Sequence, residues 1–140
     1  MAFIMLFSRI RMLTLCVLVA FPVHHVLAQA PDRMVEDLSR AIQRGNARDI
    51  SRYFSNNVDL SMPRAEGTFS KSQSEMILRD FFSRNKPSAY TMSHQDTLRD
   101  GSIYFIGRLS TEEGSTFRCY FHIKKISDAY FIHHIQFELQ

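Results

Sequence analysis

The stretch FSKSQSEMILRDFFSRN, residues 69–85, decides the fold. Its apolar residues recur at the spacing of one face of an α-helix. Ser70, followed three residues later by Gln73, matches the capping box of a helix N-terminus, and a proline shortly after the stretch prevents the helix from continuing. The stretch therefore predicts one long helix, with Phe81 and Phe82 turned towards the core.

Two shorter helices are expected before it. Residues 31–45 carry apolar side chains on one helical face and acidic residues in the first turns, which the helix dipole favours. Asn46, with Asp49 three residues on, predicts the cap of a second, short helix. Residues 58–62 then alternate between apolar and polar, which is typical of a half-buried strand.

After the long helix the period changes from 3.6 to 2. Four strands are expected, at residues 89–99, 102–111, 115–126 and 130–140. Asp100-Gly101 predicts a two-residue hairpin loop, and residues 112–114 predict a three-residue loop with glycine in the left-handed position. This order predicts an α+β fold: N-terminal helices and one long central helix, packed on a curved antiparallel sheet.

Residues 1–28 have the pattern of a signal peptide, with two arginines, an apolar run and a small-residue cleavage site. Cleavage is expected after Ala28, with Ala30 as the alternative. Residues 29–140 then form a single domain. Secretion is therefore expected, with membrane contact only through the signal segment before cleavage.

Charge and cysteine content exclude several classes of function. The chain has 17 Lys and Arg against 14 Asp and Glu, and the signal segment carries two of the arginines. The remaining domain is nearly neutral, so no nucleic-acid partner is expected. Loss of Cys16 with the signal segment leaves Cys119 alone, which excludes an internal disulfide and predicts a small buried apolar residue.

Strand alternation and loop lengths together predict a register. It places His94 opposite Gly107, Cys119 opposite Phe137 and Ile123 opposite His133, all on a mostly apolar face that meets the helices. A pocket for a small apolar ligand is expected on this face, lined by Met92, Phe105, Cys119, Phe121, His133 and Ile135.

The opposite face of the sheet is expected to combine aromatic, aliphatic and charged side chains. It is expected to carry Tyr104, Ile106, Arg108, Arg118, Tyr120, Ile132 and Glu138. One interpretation is a solvated face with weak cross-strand pairs. The other is a contact surface for a protein partner or a homodimer, because aromatic residues and arginine are common at interfaces.

His94 and Asp96 are the candidate catalytic residues. They lie two positions apart on one strand, so they share a face, and a carboxylate beside an imidazole makes a plausible general base. No metal site is expected, because His133 and His134 point to opposite faces and a pair such as His122 with His134 lacks a third ligand. No cofactor is expected either.

Three stretches carry a family resemblance: AIQRGNARDISRYFSNNVDL, FSKSQSEMILRDFF and YFIGRLSTEEGSTFRCYFHIKK. They resemble the secreted bacterial proteins of domain-of-unknown-function family 4783, which look like members of the nuclear transport factor 2-like (cystatin-like) superfamily. The resemblance implies a cone of helices and curved sheet. The superfamily includes isomerases, dehydratases, ligand carriers and dimeric scaffolds, so the fold leaves the function open.

Together these observations predict a secreted or periplasmic module, non-enzymatic, that binds a small apolar ligand or a protein partner. The alternative is a small lyase or isomerase that uses His94 and Asp96 as an acid–base pair in the cone.

Overall fold

A computed structural model of the chain describes residues 30–140, and the predicted signal segment lies outside them. The elements in chain order are α1 (Ala30–Arg44), α2 (Ala47–Ser51), β1 (Phe54–Met62), β2 (Ala65–Ser70), α3 (Lys71–Arg84), β3 (Pro87–Thr97), β4 (Ile103–Thr111), β5 (Thr116–Ile126) and β6 (Ala129–Leu139). Within this part of the chain no helix is both long and apolar enough to cross a membrane. The fold is α+β, as predicted.

The six strands form one curved sheet in the order β2-β1-β6-β5-β4-β3. All neighbours are antiparallel except β1 and β6, which run parallel through pairs such as Leu60 with Ile135. The helices cover the inner, concave face of the sheet. Within residues 30–140 no helix covers the outer face, so the two faces of the sheet have different environments.

The long helix forms where the sequence predicts it. The Ser70 hydroxyl accepts a hydrogen bond from the Gln73 backbone N–H at 3.3 Å, and the Gln73 side chain accepts one from the Ser70 N–H at 3.1 Å. This is the predicted capping box. Phe81 and Phe82 are buried, and the Phe81 ring lies 4.6 Å from the ring of Phe137 on β6.

The sheet has one strand more than predicted. Residues 65–70, where no strand is predicted, form the edge strand β2. In the described part of the chain β2 pairs only with β1 and is mostly exposed, so it lacks an apolar alternation. β1 begins at Phe54, earlier than expected, because Phe54 pairs with Ile132 and is buried there. The helix α2 accordingly ends at Ser51.

The register of β4 with β5 is confirmed. Gly107 pairs with Cys119, and Phe105 pairs with Phe121. The loop between the strands has the predicted three residues, closed by a hydrogen bond from the Thr111 N–H to the Ser115 carbonyl, with Gly114 at φ +89°. A left-handed residue is what this loop type requires.

The register of β3 differs from the prediction. The loop to β4 has three residues rather than two, because the Asp100 carboxylate accepts hydrogen bonds from the N–H and hydroxyl of Ser102. A β-bulge at Ser93 then shifts the pairing again. As a result His94 lies opposite Ile106, not Gly107, and its side chain is on the outer face.

The pairing of β6 with β5 also differs from the prediction, near the turn that joins the two strands. The turn is a tight two-residue connection, and a bulge at His133 restores the predicted pairing beyond it. Ile123 therefore pairs with Ile132 rather than with His133. Ile132 is fully buried, so its placement in the exposed contact surface is wrong.

Candidate functional site

A cleft of about 510 Å³ lies between α1 and β3, at the edge of the concave face. Two glutamines bridge the helix and the strand at its ends. The Gln43 side-chain oxygen accepts a hydrogen bond from the Tyr90 N–H at 2.6 Å, and the Gln95 amide donates to the Asp32 carboxylate at 3.4 Å. Between these bridges Val35 and Met92 also line the cleft.

The floor of the cleft is formed by Tyr90 lying over Gly107. A Cβ atom at position 107 would overlap the Tyr90 ring and hydroxyl, so only glycine admits the ring there. The residue that fills the space above Gly107 is therefore Tyr90, and the expectation that His94 faces it is wrong.

The hydroxyl oxygen of Tyr90 is buried and has no hydrogen-bond partner among the described residues. The Ser39 hydroxyl lies nearby and donates to the Val35 carbonyl at 2.8 Å, which leaves its oxygen able to accept a hydrogen bond. Burial, followed by the nearby Cys119, raises the pKa of Tyr90, so the phenol stays protonated. Tyr90 thus lines the cleft, while its neutral hydroxyl is covered rather than open to it.

Cys119 lies beneath Tyr90, in an environment that disfavours reaction of its thiol. Its thiol is buried and contacts the Phe117 carbonyl at 3.8 Å. Burial raises the pKa of the thiol to about 12. A thiolate nucleophile is therefore disfavoured, and the predicted role as a small buried apolar residue agrees with this environment.

The residues predicted to line a pocket are separated in the structure. Met92 lines the cleft and is 41% exposed. His133 sits in the β6 bulge, half-buried. The remaining four are fully buried in the core and do not line the cleft: Phe105, Cys119, Phe121 and Ile135. The space open to a ligand is thus beside the concave face, at α1, rather than deep within it.

The candidate catalytic pair lies elsewhere. His94 and Asp96 are exposed on the outer face of β3, beyond the Ser93 bulge. The His94 Nε2 atom is 3.1 Å from the Tyr104 hydroxyl, and the Asp96 carboxylate accepts a hydrogen bond from the Thr97 N–H. Neither side chain lines the cleft, so the structure does not bring this pair to it.

Comparison with known proteins identifies the family. The model of the Domain of unknown function DUF4783 matches residues 35–138. The chain belongs to the DUF4783 family. A search of the curated proteins found no match.

Solved structures agree with this DUF4783 assignment. A family protein from Bacteroides ovatus is 28% identical, with 74% of this chain and 93% of that chain covered and a TM-score of 0.69. One from Bacteroides uniformis is also 28% identical, with 75% and 95% covered and a TM-score of 0.70.

A more distant structure extends the comparison of the fold. An NTF-2 like protein of unknown function from Silicibacter pomeroyi is 13% identical, with 79% of this chain and 93% of that chain covered and a TM-score of 0.58. At this identity the likeness shows the fold alone. The DUF4783 chain thus has the nuclear transport factor 2-like fold that the sequence predicts.

The outer sheet face of this DUF4783 protein carries an aromatic ladder across four strands. Its rings are His94, Tyr104, Tyr120 and His134, and successive centroids are 5.6, 6.0 and 5.8 Å apart. Tyr104 and Tyr120 are stacked. The ladder includes two of the predicted contact residues, and Ile106 lies beside them, half-buried. Arg108, Arg118 and Glu138 are more exposed.

Two further histidines, His122 and His133, have buried ring nitrogens near this face. The Nε2 atoms of His122 and His133 are buried without a hydrogen-bond partner in the described part of the chain. Burial, then the nearby Lys124, lowers the pKa of both imidazoles. Across residues 30–140 no group of three or more His, Cys, Asp or Glu is placed to hold a metal ion.

Sequence reasoning missed Tyr90 as a site residue. Its signal is the combination of an inward-facing aromatic with a glycine diagonally across on the next strand, since the missing side chain makes room for the ring. That combination becomes visible only when the register is correct. Gln43 and Gln95 carried no signal, because exposed glutamines are common on any surface.

Proposed function

We propose that this protein is a non-enzymatic binding module of the bacterial envelope, and that it takes a small, mainly apolar molecule into the cleft between α1 and β3. The observation that carries the proposal is the Tyr90 hydroxyl, which is buried beside a cleft of about 510 Å³ and has no hydrogen-bond partner within residues 30–140. A volume of roughly 300–1,000 Å³ is typical of small-molecule sites. An unsatisfied buried donor costs about 1–3 kcal/mol, part of which a ligand acceptor recovers if it displaces the side chains that cover the hydroxyl.

The lining indicates the chemistry of the ligand. Val35 and Met92 offer apolar walls, and Tyr90 offers one hydrogen-bond donor. Charged side chains also line the cleft, and among them the Arg40 guanidinium is paired with Glu36 and Asp37. A flat apolar molecule with one carbonyl or ether oxygen fits these walls better than a charged one.

The test uses two neutral probes of nearly equal shape, 2-acetylnaphthalene and 2-ethylnaphthalene, in fluorescence titrations of the purified protein. The ketone is expected to bind about fivefold more tightly, since one hydrogen bond contributes about 1 kcal/mol. Tyr90→Phe removes that preference. Ser39→Leu fills the cleft and weakens both probes.

Tyr53→Phe is the matched control, because the Tyr53 hydroxyl donates to Asp37 and Tyr53 does not line this cleft. It should leave the preference for the ketone unchanged. Failure of both probes to bind, or a preference that survives Tyr90→Phe, contradicts the proposal. Tyr90→Phe is also expected to raise the melting temperature, because it removes an unsatisfied buried group.

The enzymatic alternative, a lyase or isomerase using His94 and Asp96, gains no support from their positions. Both lie on the outer face, and an acid–base pair must reach its substrate within hydrogen-bond distance. The envelope location rests on the signal pattern of residues 1–28. Mass spectrometry of the protein recovered from cells should give a chain that begins at Gln29.

A second candidate function is self-association through the outer face. The aromatic ladder supports it, and so does the pairing of Arg118 with Glu138 in the β5–β6 register, which offers both charges to a second copy. Tyr104→Glu should abolish a dimer seen by sedimentation velocity, whereas Ile126→Glu, another exposed apolar site, should not. A monomer at tens of micromolar contradicts the idea.

A further inference from the structure

A second cleft, of about 450 Å³, lies on the outer face of the sheet near the β3 bulge. We propose that it binds a small-molecule oxyanion, a phosphate or carboxylate group, through Arg108 and Arg118. These two arginines lie directly opposite each other on β4 and β5, and both line the cleft. The site is separate from the α1–β3 cleft and independent of the ligand proposed there.

The arginine pair lacks a salt bridge within residues 30–140, although Arg118 lies next to Glu138 in the register. Like charges directly opposite each other on neighbouring strands destabilise a sheet. A bound anion relieves this repulsion, which gives the pair a reason to bind one.

The cleft supplies donors in a suitable arrangement. Arginine presents planar N–H groups that grip a phosphate or carboxylate through two parallel hydrogen bonds. Thr91 pairs with Arg108 on the adjacent strand and adds a hydroxyl. Gln140 also lines the cleft, and among residues 30–140 no aspartate or glutamate side chain does.

The β3 bulge shapes this cleft. Ser93 is the extra residue of the bulge, and its hydroxyl donates to the Ile106 carbonyl at 3.1 Å across the strand pair. Bulges bend a strand and are common beside functional sites. Here the bulge places Ser93 and Ile106 together at the cleft wall, so a ligand meets an apolar side chain beside the two guanidinium groups.

The experiment is an NMR titration of the full protein at low ionic strength with inorganic phosphate and, separately, with acetate. Amide shifts are expected around Arg108, Arg118 and Thr91. Arg118→Gln should weaken binding about tenfold, because hydrogen bonds to a charged group are lost. Arg118→Lys keeps the charge but loses the paired geometry, and should weaken binding less than Arg118→Gln does.

Arg99→Gln is the matched control, since it removes the same charge from the exposed β3–β4 loop. Equal weakening by Arg99→Gln and Arg118→Gln would mean general charge attraction and would overturn the proposal. So would binding to phosphatidylglycerol vesicles that free phosphate does not compete with, because the partner is then a membrane surface. Tyr90→Phe should leave phosphate binding unchanged, so the test stands apart from that of the inner cleft.

Discussion

Two aromatic pairs occupy neighbouring positions on β4 and β5 but face opposite ways. Phe105 and Phe121 stack on the inner face with ring centroids 4.8 Å apart, and both are fully buried. Tyr104 and Tyr120, each one residue earlier, stack on the outer face at 6.0 Å and remain half-buried. The same two strands therefore carry a core and a free surface built from similar rings.

The difference follows from the two-residue period of a β-strand, which turns successive side chains to opposite faces of the sheet. The inner pair is enclosed by other apolar side chains, including Phe137 against Phe121. The outer pair has polar neighbours, such as His94 against Tyr104. Burial makes the inner rings a source of stability, whereas the outer rings remain available for contacts with other molecules.

The largest effect expected is the loss of an inner ring. Phe121→Ala should lower the free energy of unfolding by about 3–5 kcal/mol, because it leaves a cavity in the core. Tyr120→Ala, one residue away, should cost no more than about 1 kcal/mol, as expected for a cross-strand contact. Urea denaturation of both variants measures this contrast. Equal losses would show that the outer ladder is as important to stability as the core.

A smaller effect is expected where the inner face meets the cleft. Gly107→Ala should destabilise the protein by about 1–3 kcal/mol, because the new methyl group overlaps the Tyr90 ring. Cys119→Ala is the comparison variant: it removes the thiol at the position paired with Gly107 and so adds no atom that overlaps the Tyr90 ring. A double-mutant cycle with Tyr90→Ala should show coupling, since removal of the ring makes room for the methyl group. Additive effects would contradict the prediction, because they would show that overlap with the Tyr90 ring is not what destabilises Gly107→Ala.

The smallest effect expected is a pH dependence on the outer face. Burial lowers the pKa of His122 below its usual 6.5, so the unfolded chain takes up a proton first as the pH falls. The free energy of unfolding should therefore decrease as the pH falls below about 6.5. The decrease ends once the folded imidazole is also protonated.

His122→Gln should reduce this pH dependence, measured by denaturation between pH 5 and pH 8. His94→Gln is the matched control, because His94 lies on the same face but is exposed and is not among the groups that act on the pKa of His122. Lys124, His133 and His134 disfavour the charged form of His122, whereas Asp100 favours it. An unchanged pH profile in His122→Gln would show that other groups control this range.

The β4–β5 hairpin could be predicted because its chemistry is unambiguous. Residues 112–114 end in a glycine at the one position that needs a left-handed residue, and the loop length then determines the register. The inner and outer rows of these two strands follow directly, including Phe105 with Phe121 and Arg108 with Arg118.

The β3–β4 hairpin could not be predicted because Asp100-Gly101 is compatible with two loop lengths. The hydrogen bonds from Ser102 to the Asp100 carboxylate accompany the longer loop. Nothing in the local sequence marks Ser93 as the bulge that follows. Because the loop is one residue longer than predicted, His94 and Asp96 lie on the outer face instead of in the expected pocket. The wrong register also concealed that Tyr90 packs over Gly107.

The parallel pairing of β1 with β6 affects the order in which the protein folds. The first half of the chain joins the sheet only through β6, because β1 pairs with β2 on one side and β6 on the other. Contacts such as Leu60 with Ile135 bring together distant parts of the chain, and such contacts slow folding. Until β6 pairs with it, the edge of β1 has unpaired backbone N–H and C=O groups, and an open edge of this kind favours association with other chains.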